Sequence, residues 1–136
     1  MKSDALLHET RQRALEVIWR CVTPRGFRAS GLAAGYPQIW TRDNGVVFLG
    51  AAATGDPQLI ATARAALETM SAYQSARGLI SLNVNPDTGF ISTENAGAVD
   101  SNLWYILCHY LYFNTTADAG FLRSSWPSID QAMIWL

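Results

Sequence analysis

The sequence predicts an all-α fold built of helical hairpins. Three observations predict it: apolar residues recur at helical spacing, start and stop signals bracket five helices, and one helix–turn–helix unit occurs twice. Of the 136 residues, 49% are hydrophobic and only 15% are charged. This composition fits helices that are buried on more than one side.

The first two helices are separated by a glycine-rich segment. Apolar residues form one stripe over residues 5–22, and the turn at 23–26 ends this helix. Residues 27–36 are predicted to form a loop. The second helix is predicted to start near Asp43 and Asn44, where either side chain could cap the free amides, and to end near residues 54–57.

The third helix has a strong start signal, because Asp56 is a favourable N-cap and Pro57 suits the first helical position. It is predicted to run to about Tyr73. Residues 74–99 form a long irregular segment, and loops of this length in a compact domain are usually functional or disordered.

The fourth helix is predicted from Asp100 or Ser101 to about Asn114, and since it is apolar nearly all round we expect it to be buried. A fifth helix follows over 119–136, with Pro127 marking a fresh helical start. Three tryptophans that lie on helical stripes are expected in the core: Trp19, Trp126 and Trp135.

An internal repeat links these helices. The turn Thr54-Gly55-Asp56 between an apolar and an amphipathic helix recurs 62 residues later as Thr116-Ala117-Asp118. Such hairpins bury their apolar faces only by stacking on neighbours. Residues 1–136 are therefore expected to be a single partial domain, truncated at its C-terminal side, of a larger helical array.

Charge and cysteine content exclude several classes of function. The net charge is −1 and Lys2 is the sole lysine, so no basic patch for nucleic acid is present. No signal peptide begins the chain, and the longest apolar stretch, 103–113, is too short to cross a bilayer. We expect a cytoplasmic protein without membrane contact. Cys21 and Cys108 are interpreted as small buried hydrophobic residues.

Two short polar-aromatic motifs each open an apolar helix. The first is Ile39-Trp40-Thr41-Arg42-Asp43-Asn44, and the second is Val99-Asp100-Ser101-Asn102-Leu103-Trp104. Charged side chains at the mouth of a buried helix are costly to desolvate without a partner or ligand. If the two helices lie side by side, the motifs form one polar pocket at the end of the bundle.

These motifs resemble those of the six-hairpin (α/α)6-barrel glycosidases: the amylo-1,6-glucosidase part of glycogen debranching enzymes, the neutral and alkaline invertases and, more distantly, the glucoamylases. The resemblance covers roughly residues 26–136 in order and spacing, including Gly78-Leu79-Ile80-Ser81 before the long loop. It implies an incomplete (α/α)6 toroid, of which this chain is the N-terminal part.

The resemblance also implies roles for individual residues. Arg42 and Asp43 would bind sugar hydroxyls beside Trp40, and Asp100 would be the general acid, with a glutamate from a late hairpin beyond residue 136 as the second carboxylate. Inverting hydrolysis needs two such carboxylates about 6.5–9.5 Å apart. Glucoamylases carry their acid elsewhere, so the role of Asp100 depends on the nearest branch.

Simpler roles are open for the same residues. Asp100 could be an N-cap alone, Arg42 and Asp43 could form a buried ion pair or a cap, and Trp40 could be a core residue. Trp104 is likewise a candidate either for the core or for the pocket wall. Glu94 and Asn95, in the loop before Asp100, are further candidates for carbohydrate contact.

The sequence therefore predicts a glycoside hydrolase fragment acting on an α-glucoside or related sugar, with no cofactor. The alternative is a helical-repeat interaction module or an inactive pseudoenzyme, whose apolar inner face would bind a protein partner. In either case an exposed barrel edge would favour self-association.

Overall fold

The structure is a computed structural model that describes residues 2–32, 35–92 and 99–136. Its described helices are α1 (Lys2–Cys21), α2 (Thr41–Thr54), α3 (Pro57–Ala72), α4 (Val99–Thr116) and α5 (Ala119–Trp135). Its described strands are β1 (Val22–Thr23), β2 (Gly26–Phe27), β3 (Ile39–Trp40), β4 (Asn83–Val84) and β5 (Ile91–Ser92). The predicted all-α class is confirmed, and the helices are those of a fragment of a helical toroid.

Helices α2 and α4 lie side by side and run parallel. Arg42 and Asp100 meet at their starts, while the rings of Phe48 and Tyr112 lie 6.2 Å apart further along both helices. Helix α3 packs on α2 and α4, and α5 packs on α4. The core lies between these four helices and is lined by buried side chains such as Leu59, Met70 and Tyr105.

The predicted repeat is confirmed in the turns that join these helices. The Asp56 carboxylate accepts hydrogen bonds from the amides of Gln58 and Leu59, and the Asp118 carboxylate accepts one from Phe121. Thr54 and Thr116 each donate from the hydroxyl to a carbonyl in the preceding turn of helix. Both hairpins therefore share an aspartate N-cap and a threonine hydroxyl bonded to the preceding helical turn.

The central residue of each turn adopts a left-handed conformation, with φ of +68° at Gly55 and +55° at Ala117. A Cβ at Gly55 would meet nothing within 4 Å, so conformation alone distinguishes the two positions. We expect Gly55→Ala to lower the free energy of unfolding by about 1 kcal/mol and Ala117→Gly to raise it by about 0.5 kcal/mol. Urea unfolding of both variants checks this; shifts of the same sign would contradict it.

Two expectations about burial are wrong, that for helix α4 and that for the tryptophans. One face of α4 is exposed, including Leu103 (52%) and Tyr110 (62%), because no described element packs on that side of α2 and α4. Trp126 is 53% exposed and Trp19 37%, while Trp135 is half-buried. The stripe on α1 is also largely uncovered, since Leu7 is exposed and Leu15 and Ile18 are only half-buried. No helix in the described part of the chain could span a membrane.

Element boundaries differ from the prediction in two places. Helix α2 begins at Thr41, and its N-cap, Trp40, makes no side-chain cap, so the predicted capping by Asp43 or Asn44 is wrong. Helix α5 runs through Pro127 without a fresh start. Short antiparallel pairs also form outside the helices: β1 pairs with β2, and β4 pairs with both β3 and β5.

His109 is buried among aromatic rings in the core. Its Nδ1 lies 3.0 Å from the Tyr105 carbonyl oxygen, and Nε2 has no hydrogen-bond partner among the described residues. The ring of Tyr105 meets it edge-on at 4.4 Å, and that of Phe121 stacks on it at 5.6 Å. This apolar burial lowers the pKa of His109 to about 4.

Stability should therefore fall as the pH falls. In the unfolded chain His109 takes up a proton near pH 6.5, whereas in the folded chain it does so only near pH 4. The free energy of unfolding keeps its full His109 contribution above pH 6.5. Between pH 6.5 and pH 4 we expect it to fall by an amount that approaches about 3 kcal/mol. Urea unfolding across pH 7 to 4 should show this dependence in the parent and not in His109→Gln. Equal slopes in both proteins would contradict the assignment.

Candidate functional site

The two predicted motifs meet at the N-terminal ends of α2 and α4. Arg42 donates a hydrogen bond from Nη1 to Oδ2 of Asp100 across 2.7 Å. The Arg42 side chain is 52% exposed and that of Asp100 39%, so both face solvent in part. Ion pairs at such exposure contribute only about 0–1 kcal/mol to stability. The pair is thus available for contact with a ligand, and it contributes little to the free energy of folding.

The simpler roles of Asp100 and Arg42 do not match this geometry. Asp100 lies one residue inside α4, which begins at Val99, and its carboxylate binds Arg42. Arg42 pairs with Asp100 and not with its neighbour Asp43, and this ion pair is half-exposed, not buried. The N-cap and the buried Arg42–Asp43 pair are therefore not what the structure contains.

Asp43 and Trp40 line an open cleft of about 330 Å³ beside this ion pair. Tyr36, which is 66% exposed, and Arg42 complete its walls together with Ala29. Among the described residues, Asp43 makes no side-chain hydrogen bond and no ion pair. Trp40 is half-buried and is held in place by pairing of β3 with β4.

Trp104 has a packing contact that explains a glycine in α2. A Cβ at Gly45 would lie 2.5 Å from Cε3 of Trp104 and 3.1 Å from Sγ of Cys108. The cavity that Trp104 lines between α2 and α4 measures about 20 Å³, which holds about one water molecule. The half-buried Trp104 ring therefore packs between α2 and α4, and it is not among the residues that line the cleft at Trp40.

Two buried asparagines hold the site in place, and sequence reasoning missed their role. The Asn44 side chain accepts from the Phe27 amide and donates to the carbonyls of Phe27 and Trp40. Asn102 accepts from the Ile80 amide and donates to the carbonyls of Gly78 and Ala132. Both residues stand two positions after the ion-pair residue of their helix, so the second copy of the repeat could have revealed them.

Each asparagine secures a glycine-containing segment against an outer helix. Gly26 has φ of +132°, and a Cβ there would lie 2.7 Å from the Ala66 Cβ of α3. Gly78 has φ of +92°, and a Cβ there would collide with the Gln131 carbonyl of α5. The repeat thus extends from the incoming loop to the outer helix, and it places Arg42 and Asp100 at equivalent positions.

The start of α2 is also tied to the loop that leads to α4. The Thr41 amide donates to the Leu82 carbonyl, and the Thr41 hydroxyl donates to the Ser81 carbonyl at 2.7 Å.

Glu94 and Asn95 lie outside the described residues. Burial raises the pKa of the Cys108 thiol to about 12, so it is not a thiolate nucleophile at neutral pH. Within the described ranges, no three His, Cys, Asp or Glu side chains are grouped to hold a metal ion.

Comparisons with known proteins bear on what this site does. Neither the curated proteins nor the solved structures include a significant match to the chain. A family model described as amylo-alpha-1,6-glucosidase matches residues 5–135. That description indicates a glycosidase-related function in carbohydrate metabolism, as the resemblance of the two motifs implied. Because the match covers nearly all of the sequence, the chain belongs to the amylo-alpha-1,6-glucosidase family.

Proposed function

We propose that the protein is part of an inverting glycoside hydrolase that cleaves an α-glucoside or a related sugar. The observation that carries the proposal is the Arg42–Asp100 pair, 2.7 Å apart and partly exposed at the mouths of two parallel helices. A carboxyl group in this position can reach a ligand, and membership of the family supports a glycosidic oxygen as the atom that would receive its proton.

The residues around the pair have complementary roles in this proposal. Asp100 protonates the leaving oxygen as a neutral carboxylic acid, so in this proposal Arg42 moves from the carboxyl group to the sugar hydroxyls and Asp100 takes its proton from water before the reaction. After the proton is transferred, the ion pair with Arg42 forms again. Asp43 and Trp40 bind the sugar ring, because a carboxylate with no partner among the described residues accepts from hydroxyls and an indole face packs on pyranose C–H groups. Trp104 forms the wall on the α4 side, and Glu94 and Asn95 contact the substrate from the preceding loop.

Inversion also needs a carboxylate that activates water from the opposite face of the sugar, about 6.5–9.5 Å from the acid. We assign this carboxylate to another hairpin of the toroid, beyond residue 136. The reaction consumes water and moves protons between these two groups, so no cofactor is required.

The test uses the full-length protein and isomaltose, an α-1,6-linked glucoside, with proton NMR to identify the first product formed. Release of β-glucose before mutarotation would support inverting hydrolysis. Release of α-glucose first would contradict it. No cleavage of isomaltose, other α-glucosides or sucrose would favour the alternative, an interaction module or pseudoenzyme that uses the exposed face of α2 and α4.

A further inference from the structure

Thr41, the first residue of α2, directs its side chain away from its own helix. The residue is 4% exposed, and its hydroxyl donates across 2.7 Å to the carbonyl of Ser81, 40 positions further along the chain. Threonine near a helix start commonly bonds to the backbone of its own first turn. The bond to Ser81 therefore connects α2 to a distant segment and does not cap the helix.

The same residue is bonded twice to that segment. Its amide donates to the Leu82 carbonyl at 2.9 Å, next to the Ser81 carbonyl that accepts from the hydroxyl. The sulfur of Met70 also lies 3.0 Å from the hydroxyl oxygen, but a hydroxyl has one hydrogen to donate and a carbonyl is the stronger acceptor. Removing the hydroxyl thus takes away one of the two bonds that attach the start of α2 to residues 81 and 82.

The start of α4 is bonded to the same stretch of chain, residues 78–82, which we call the bridging segment. Asn102 accepts from the Ile80 amide at 2.9 Å and donates to the Gly78 carbonyl at 3.0 Å. Thr41 stands one position before Arg42, and Asn102 stands two positions after Asp100. The bridging segment therefore links the backbone that carries Arg42 to the backbone that carries Asp100.

The second copy of the repeat shows that a helix of this kind starts without such a hydroxyl. Since Asn44 and Asn102 are equivalent, Thr41 is equivalent to Val99, three positions before the asparagine. Val99 begins α4 with an apolar side chain and is 45% exposed. The helix start alone does not account for Thr41, so its hydroxyl calls for a role that is specific to α2.

We propose that Thr41 is a positioning residue, and that its hydrogen bond to Ser81 sets the distance between the sugar held at the start of α2 and the Asp100 carboxyl group. Proton transfer to the leaving oxygen depends on that distance, and a displacement of about 1 Å can lower a rate about 100-fold. Thr41 is buried, so it acts through the placement of α2 and not on the sugar itself. This inference rests on the proposed function, since it concerns the same proton transfer.

The experiment compares Thr41→Val with the parent, in the full-length protein, on isomaltose and on 4-nitrophenyl α-glucoside. Valine has nearly the shape of threonine but cannot donate to Ser81. We expect kcat for isomaltose to fall about 10- to 100-fold, with KM changed less than about twofold because Arg42 and Asp43 are intact. The nitrophenyl leaving group departs without protonation, so its kcat should fall less than about threefold.

Two further variants test the cause of the loss. Thr41→Ser keeps the hydroxyl and should hold kcat for isomaltose within about threefold of the parent. The matched control, Thr62→Val, removes a buried threonine hydroxyl from α3 that is bonded to the Gln58 carbonyl of the same helix. It should leave kcat for both substrates unchanged.

The possible results separate this proposal from the proposed function. Equal losses of kcat on both substrates would show that Thr41 contributes only to folding and would overturn the positioning role. If Asp100→Asn loses isomaltose cleavage while Thr41→Val retains it, the positioning role alone is overturned. If the parent cleaves neither substrate, or Asp100→Asn cleaves isomaltose as the parent does, the proposed function fails and the positioning role fails with it. If Thr41→Val does not fold, Thr41→Ala decides, with a loss expected for isomaltose alone.

Discussion

Replacing Asp100 by Asn in the full-length protein is expected to lower kcat for isomaltose about 1,000-fold, within the range attributed to general acid catalysis. The amide has nearly the same shape and can still accept a hydrogen bond from Arg42, but it cannot deliver a proton to the leaving oxygen. Sugar binding should persist, because Arg42, Asp43 and Trp40 are unchanged. Steady-state kinetics and calorimetric titration with glucose measure the two quantities.

A substrate with a better leaving group separates an acid role from a structural one. The leaving group of 4-nitrophenyl α-glucoside departs without protonation, so Asp100→Asn should impair its cleavage far less than that of isomaltose. Equal losses with both substrates would indicate that Asp100 only organises the site. The matched control, Asp130→Asn, changes an exposed carboxylate on α5 and should retain full activity. Unimpaired cleavage of isomaltose by Asp100→Asn would show that Asp100 is not the general acid.

The helices could be predicted because their signals are local. The N-caps at Asp56 and Asp118 and the apolar periodicity of α3 depend on residues within a few positions of one another. The placement of α2 beside α4 followed from the repeat, since successive hairpins bury their faces on each other. That placement is sufficient to bring Arg42 and Asp100 into one site at the helix starts.

What the sequence did not reveal depends on contacts between distant segments. The strands are only two residues long, and β3 pairs with β4 across more than 40 residues of chain, from Trp40 to Asn83. Asn44 has the residue type of an N-cap, but its amide instead binds the backbone of Phe27, 17 residues earlier. Exposure of Leu103 and Tyr110 reflects which elements cover α4, and the apolar periodicity of one helix carries no such information.

The buried asparagine of the second motif gives the largest expected effect on stability. Asn102 is fully buried and makes three hydrogen bonds, at 2.9 Å from Ile80, 3.0 Å to Gly78 and 2.9 Å to Ala132. Asn102→Ala would leave the Ile80 amide unpaired and remove the donors to the Ala132 and Gly78 carbonyls, of which Gly78 keeps the hydrogen bond from Gln74 Nε2. Since each unpaired buried group costs about 1–3 kcal/mol, we expect the free energy of unfolding to fall by about 4 kcal/mol. Urea unfolding followed by tryptophan fluorescence measures it.

Two further variants show whether the hydrogen bonds cause that loss. Asn114→Ala changes an exposed asparagine on the same helix and should alter the free energy of unfolding by no more than about 0.5 kcal/mol. Asn102→Asp keeps the shape and the acceptor for Ile80 but turns a carboxylate towards the carbonyls of Gly78 and Ala132. It should therefore be at least as destabilising as Asn102→Ala, because repulsion replaces two donated bonds. If Asn102→Asp were as stable as the parent, the shape of the asparagine and not its hydrogen bonds would account for its effect on stability. Those hydrogen bonds would then not be what positions Asp100 at the N-terminal end of α4.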